Sequence, residues 1–183
     1  MKIHSHIVSL LWLLILGVGS GLGAASDAWS QDKHSVSYTA SPGSTRYIQE
    51  HLIDVGDVPG HQVRVFELHE DFSSVGLAFN GVKVSESSTR GISDYTNGNG
   101  IANNYTVYML EDGNKVFGKA SVLAQSATNP DGSKIVRFTV VTTLTGGTGD
   151  FRGIRGILRT LGERVPGAST LSLKVNGEYW MEQ

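Results

Sequence analysis

From Gly60 to its C-terminus the chain alternates short β-favouring runs with turn punctuation, and no sustained apolar period of 3.6 residues interrupts the pattern. The runs cover residues 62–72, 77–85, 104–111, 115–123, 134–144, 152–160 and 170–180. Between them lie Asn80-Gly81, Asn97-Gly98-Asn99-Gly100, Asp112-Gly113, Asn129-Pro130-Asp131-Gly132 and Pro166-Gly167. Asp-Gly accepts the positive φ that a two-residue hairpin demands, so Asp112-Gly113 predicts a tight turn between two paired strands. Few helices are available to cover a sheet, and the chain carries 23 glycines. This combination predicts an all-β domain, either a closed barrel or a sandwich. A barrel has the physical advantage that closure removes exposed strand edges.

The start of the chain is different in kind. Lys2 precedes an apolar run over 7–22, and small residues over 23–28 suit cleavage after Ala25 or Ala28. The expectation is a secretory signal peptide over 1–25 and a secreted or periplasmic mature protein with no membrane association after cleavage. Residues 26–59 are polar and read as a leader, with a short element at most over 47–58, and the barrel domain occupies 60–183. Cysteine is absent, which excludes disulfides, thiolate chemistry and lipid attachment at the cleavage site. Net charge is −2 with no basic stripe, so nucleic acid and anionic membrane surfaces are poor partners.

The glycine-rich stretch after the 134–144 run, Thr145-Gly146-Gly147-Thr148-Gly149-Asp150-Phe151-Arg152-Gly153, invites a phosphate-binding reading that its spacing refuses. No Lys-Ser or Lys-Thr follows, and Ile157-Leu158-Arg159-Thr160 does not open a helix. Glycines between two strands build a turn or bulge.

Alternation along 63–70 sets Val63, Val65, Glu67 and His69 on one face and Arg64, Phe66, Leu68 and Glu70 on the other. Neither face is purely apolar, so parity alone leaves both orientations open. If the valine face lines a cavity, Glu67 and His69 stand about 7 Å apart on one wall. A carboxyl desolvated there would have a raised pKa suited to acid–base work, with the histidine as hydrogen-bond partner. If the Phe66 face points inward, both are solvated residues of the outer wall. No metal-ligand spacing and no Gly-x-Ser-x-Gly elbow occurs, so neither a metal site nor a serine hydrolase is expected. Asn104-Tyr105-Thr106 is a glycosylation sequon.

Leu144 to Gly156 resembles the Gly-Gly-Thr/Ala-Gly-x-Phe-x-Gly-Ala-x-Gly stretch shared by plant allene oxide cyclases and dirigent proteins, and Val65-Phe66-Glu67-Leu68-His69-Glu70 is similar to the cyclases' Val-Tyr-Glu-Ile-Asn-Glu. The resemblance implies a closed, antiparallel, eight-stranded barrel of calycin type with a hydrophobic lumen, no cofactor and trimeric assembly. It selects the lumenal orientation of Glu67 and His69 as the catalytic pair, beside Val63 and Val65, with His69 standing where the cyclases have asparagine. Dirigent-like proteins use lumenal arginine and aspartate, which makes Asp150 and Arg155 further ligand-binding candidates. The function implied is to hold a hydrophobic, partly oxygenated small molecule and steer its isomerisation or cyclisation. The alternatives are a lipocalin-like carrier and a purely structural extracellular domain.

Overall fold

The computed structural model describes residues 31–40, 43–165 and 171–182. The expected signal peptide lies outside them. Ten strands form in chain order: β1 His34–Thr39, β2 Thr45–Asp54, β3 His61–Asp71, β4 Ala78–Phe79, β5 Val82–Thr96, β6 Asn99–Leu110, β7 Lys115–Thr128, β8 Lys134–Gly147, β9 Ile154–Arg164 and β10 Ser172–Met181. All pairings are antiparallel, in the order β1-β10-β9-β8-β7-β6-β5-β3-β2, with β4 attached to β5 alone. The all-β expectation holds, but the closed eight-stranded barrel does not. The sheet has ten strands, and no hydrogen-bonded ladder joins β1 to β2 among the described residues. The extra strands come from the supposed leader, where 34–39 and 45–54 pair with β10 and β3.

The sheet nevertheless curls. Its two end strands are consecutive in sequence, and Thr39 is followed by Thr45 after only five residues. Nine strands laid flat at ~4.8 Å would separate those ends by roughly 38 Å. Six residue steps reach about 20 Å at most. A flat sheet is therefore impossible, and the right-handed twist of paired strands supplies the curvature.

Hairpin chemistry follows the turn residues. Asn97 (φ 52°) and Gly98 (φ 80°) occupy the left-handed region between β5 and β6, and Asn80 (φ 48°) with Gly81 (φ 83°) does the same between β4 and β5. The run over 77–85 is thus a small hairpin and not one strand. After β8, a 3-10 turn over Gly149–Phe151 drives the Phe151 ring into the core at 2 % exposure. A Cβ at Gly147 would lie 2.3 Å from the Lys115 carbonyl oxygen, so this glycine is required by close backbone approach. The stretch is structural.

Two buried clusters divide the interior. Phe72, Phe79, Leu144, Phe151, Ile154 and Leu158 belong to a solid one, each at most 2 % exposed. Phe66, Ala102 and Val122 form a smaller one, edged by Tyr47, Leu68, Tyr95, Phe138 and Val140.

Candidate functional site

The inner side of the curled sheet holds a partly open cavity of about 140 Å³ to which every strand except β4 contributes side chains. β3 presents Arg64, Phe66, Leu68 and Glu70 to it. This overturns the orientation selected for the catalytic pair: the phenylalanine face is the lumenal one. The reason is volume. Phe66 and Leu68 fill the interior, and Gly91 on β5 leaves room for the Phe66 ring, where a Cβ would lie 2.8 Å from its Cζ. Val65 is instead 52 % exposed.

Glu67 and His69 stand on the outer wall. Glu67 accepts a hydrogen bond from Gln49 Nε2 at 2.8 Å and pairs with the Arg90 guanidinium. The His69 imidazole Nε2 lies 3.7 Å from Glu86. Val63 does not line the cavity either. Asp150 is exposed on the 3-10 turn. Arg155 donates to the Ile154 carbonyl at 2.8 Å and bridges to Glu182 at 3.0 Å. None of the six predicted site residues lines the cavity.

The interior holds a different carboxyl. Glu70, three residues beyond Glu67, is desolvated, and burial pushes its pKa up to about 7. Its Oε1 has no hydrogen-bond partner, and the same is true of the buried hydroxyls of Ser44 and Thr45. Register gathers hydroxyl groups around it: Glu70 is opposite Thr45 on β2 and Ser87 on β5, and Ser87 is opposite Tyr108 on β6. All four line the cavity, as does Tyr38 from β1. Burial raises the phenols of Tyr38 and Tyr108 far above their ordinary range, and the Glu70 carboxyl adds to the rise, so both remain proton-bearing hydroxyls. A carboxyl half-ionised near pH 7 can give or take one proton without crossing a large energy gap. Unpartnered buried oxygens cost about 1–3 kcal/mol each unless something polar meets them.

At the other end of the lumenal row the Arg64 guanidinium is tightly placed. It lies 4.8 Å from the Tyr47 ring centre and 5.2 Å from that of Phe66, donates to the Tyr47 hydroxyl at 3.1 Å and pairs with Glu50 at 2.7 Å. Six residues of strand place it about 20 Å from Glu70 along β3. Between that cation and the Glu70 acid the wall mixes apolar side chains (Phe66, Leu68, Ala102, Val122, Val140) with Thr89, Asn104, Thr106 and Thr142.

Asn104 of the sequon is 7 % exposed and faces this cavity, so a glycan cannot be attached to it in the folded protein. Among the described residues no group of three or more His, Asp or Glu side chains is placed to hold a metal ion, and no helix is long and apolar enough to cross a membrane. Sequence reasoning missed Glu70 by choosing the wrong face of β3, and missed Tyr38, Thr45 and Tyr47 by treating their strands as leader. Weighting side-chain volume over the resemblance would have recovered Glu70. Compared with protein-family models, curated proteins and solved structures, the chain matches none.

Proposed function

We propose that this protein is an exported binder of a small, mainly apolar, partly oxygenated molecule. It holds the molecule between the faces of its curled sheet and steers its isomerisation or cyclisation without a cofactor. Glu70 takes the acid–base role that the resemblance assigned to Glu67. The observation carrying this reading is the unpartnered Oε1 of Glu70 inside a cavity of mixed apolar and hydroxyl lining, with Ser44 and Thr45 hydroxyls also unsatisfied. A ligand hydroxyl or carbonyl placed there would meet a proton donor or acceptor poised near neutrality, and the walls would supply orientation. The likeness of Leu144 to Gly156 to the allene oxide cyclases and dirigent proteins supports the reaction class. It does not carry over their glutamate, because Glu67 faces outward.

Export rests on the leading 1–25 segment. Association with further copies of the chain is supported by Val65, Ile92, Ile101, Leu123, Val141 and Leu161, each at least 44 % exposed on the outer wall of neighbouring strands.

Native mass spectrometry of the exported protein, followed by turnover of its co-purified molecule, tests the reading. Glu70→Gln is expected to keep the molecule bound and to abolish its conversion. Retained binding with no conversion by the unsubstituted protein identifies a carrier. An empty interior that admits no small molecule refutes both.

A further inference from the structure

We propose that the side-chain amide of Asn104 is the specificity-determining group of the cavity, and that it selects a small neutral ligand bearing a carboxamide or lactam. This deepens the reading above and rests on the cavity being a binding site. Asn104 lines the cavity from β6 and is 7 % exposed. Its amide has no hydrogen-bond partner among the described residues.

Register explains the isolation of this amide. One row of inward-facing residues crosses the sheet through Phe66, Gly91, Asn104, Ala120 and Thr142. The cross-strand neighbours of Asn104 are therefore a glycine and an alanine, neither of which offers a polar side chain. A Cβ at Gly91 would lie 2.6 Å from that of Asn104, so only glycine admits the asparagine here. Along β6 the inward neighbours are Ala102, which is buried, and Thr106, whose hydroxyl is engaged with that of Thr89 at 2.8 Å. Leucine has the same branched outline as asparagine and would fill this place without burying an unmet amide. The polar choice calls for a partner, and small neighbours on both sides leave room for one. Beyond Ala120, Thr142 is 6 % exposed, lines the same cavity and has a hydroxyl likewise without a partner among the described residues. Two strand spacings set the Cα atoms of Asn104 and Thr142 about 10 Å apart, so one flat group lying over Ala120 can meet both.

A side-chain amide presents an acceptor oxygen and N–H donors in one plane. The group that satisfies both together carries a carbonyl beside an N–H. Its carbonyl accepts from Asn104 Nδ2, its N–H donates to Oδ1, and the Thr142 hydroxyl donates to the carbonyl's second lone pair. An ester or ketone meets the donor half alone and leaves Oδ1 buried and unmatched. A cavity of about 150 Å³ accommodates one benzene ring in another protein, so a single six-membered ring matches the space here.

The test uses the mature protein and three probes of one ring size, δ-valerolactam, δ-valerolactone and methylenecyclohexane, with binding measured by calorimetry. The lactam is expected to bind about fivefold or more tightly than the lactone, the worth of one matched hydrogen bond in a buried site. Asn104→Leu is expected to erase that preference, to leave methylenecyclohexane binding at least as tightly, and to raise the urea midpoint of the ligand-free protein. Thr142→Val is expected to weaken lactam and lactone alike, by their shared carbonyl contact, and to spare methylenecyclohexane. Equal binding of lactam and lactone, or a preference that survives Asn104→Leu, overturns the subsite while leaving the cavity reading standing. An Asn104→Leu protein that is less stable or fails to fold overturns it too, because the amide is then a structural group. Failure of all three probes to bind the folded, unsubstituted protein removes the cavity reading, and the subsite with it.

Discussion

Glu67 and Glu70 lie three residues apart on one strand and live in different solvents. Glu67 sits on the outer wall, with one carboxylate oxygen meeting Gln49 and the other Arg90, whose side chain is 61 % exposed. Glu70 sits on the lumenal wall with Oε1 unmatched, among Tyr38, Thr45 and Tyr108. The same functional group is a satisfied surface acid in one place and an acid titrating near 7 in the other. What separates them is strand parity and nothing in their chemistry. A carboxylate's role is set by which face of the sheet its residue number assigns it to.

The largest test of that contrast compares adjacent side chains on the two faces. Phe66→Ala empties volume beside an existing cavity and is expected to cost about 3–5 kcal/mol. Val65→Ala, one residue earlier and half exposed, is expected to change stability by about 0.5 kcal/mol or less. Urea titrations of both variants measure the difference. Equal costs would place the valine face inside.

A smaller effect separates the two acids. Folded Glu70 holds its proton up to about pH 7, whereas the unfolded chain releases it from about 4.5 upward. Between those limits the folded state binds more protons, so stability falls as pH rises through the window. The total is on the order of 3 kcal/mol. Glu70→Gln is expected to flatten this slope. Glu67→Gln removes an ion pair whose Arg90 end is solvent-exposed and whose Gln49 contact an amide can keep, and is expected to cost about 1 kcal/mol or less, with the slope retained. Denaturation midpoints from pH 4.5 to 7.5 distinguish the two variants. A slope below about pH 6, under the histidine range, that survives Glu70→Gln would show that the cavity acid is not the titrating group.

Much of the sheet was legible because its strands announce themselves with buried alternation and its turns with glycine. β6 and β7 pair around Asp112-Gly113 as expected, but through a loop longer than two residues in which only Gly113 takes positive φ (83°), with the Gly113 amide donating to the Leu110 carbonyl at 3.0 Å and the Leu110 amide to the Asn114 carbonyl at 2.9 Å. β1 and β2 were illegible because end strands are solvated. Only Val36 in the first and Thr45 in the second are buried, so neither carries an apolar pattern. The second half of β5 was hidden for another reason: its inward positions include the cavity-lining Ser87 and Thr89 and the buried Ser93, hydroxyls where alternation of apolar residues is the expected signal. The site was misplaced because both faces of β3 carry apolar side chains. An exposed Val65 imitates a core residue, and a resemblance in six residues outweighed the volume of Phe66.

The smallest effect lies at the start of the same strand and sharpens the contrast by cause. His61 places Nδ1 2.6 Å from Asp57 and Nε2 2.7 Å from Asp94, an arrangement that only the imidazolium satisfies as a double donor. Hydrogen bonding to Asp94, then to Asp57, raises its pKa, while His61 pulls that of Asp57 down. The folded state therefore holds this proton longer than the unfolded chain. Its contribution is fully present below the ordinary histidine pKa and is lost as pH rises through the raised one. His61 and Glu70 thus bend stability in the same direction, one by pairing and the other by burial. Salt separates them, because screening weakens the exposed imidazolium pairs and barely reaches a buried carboxyl. In the Glu70→Gln background the remaining fall in stability above neutral pH is expected to vanish at high salt and in His61→Gln. Its persistence in both would assign it to a group other than this histidine.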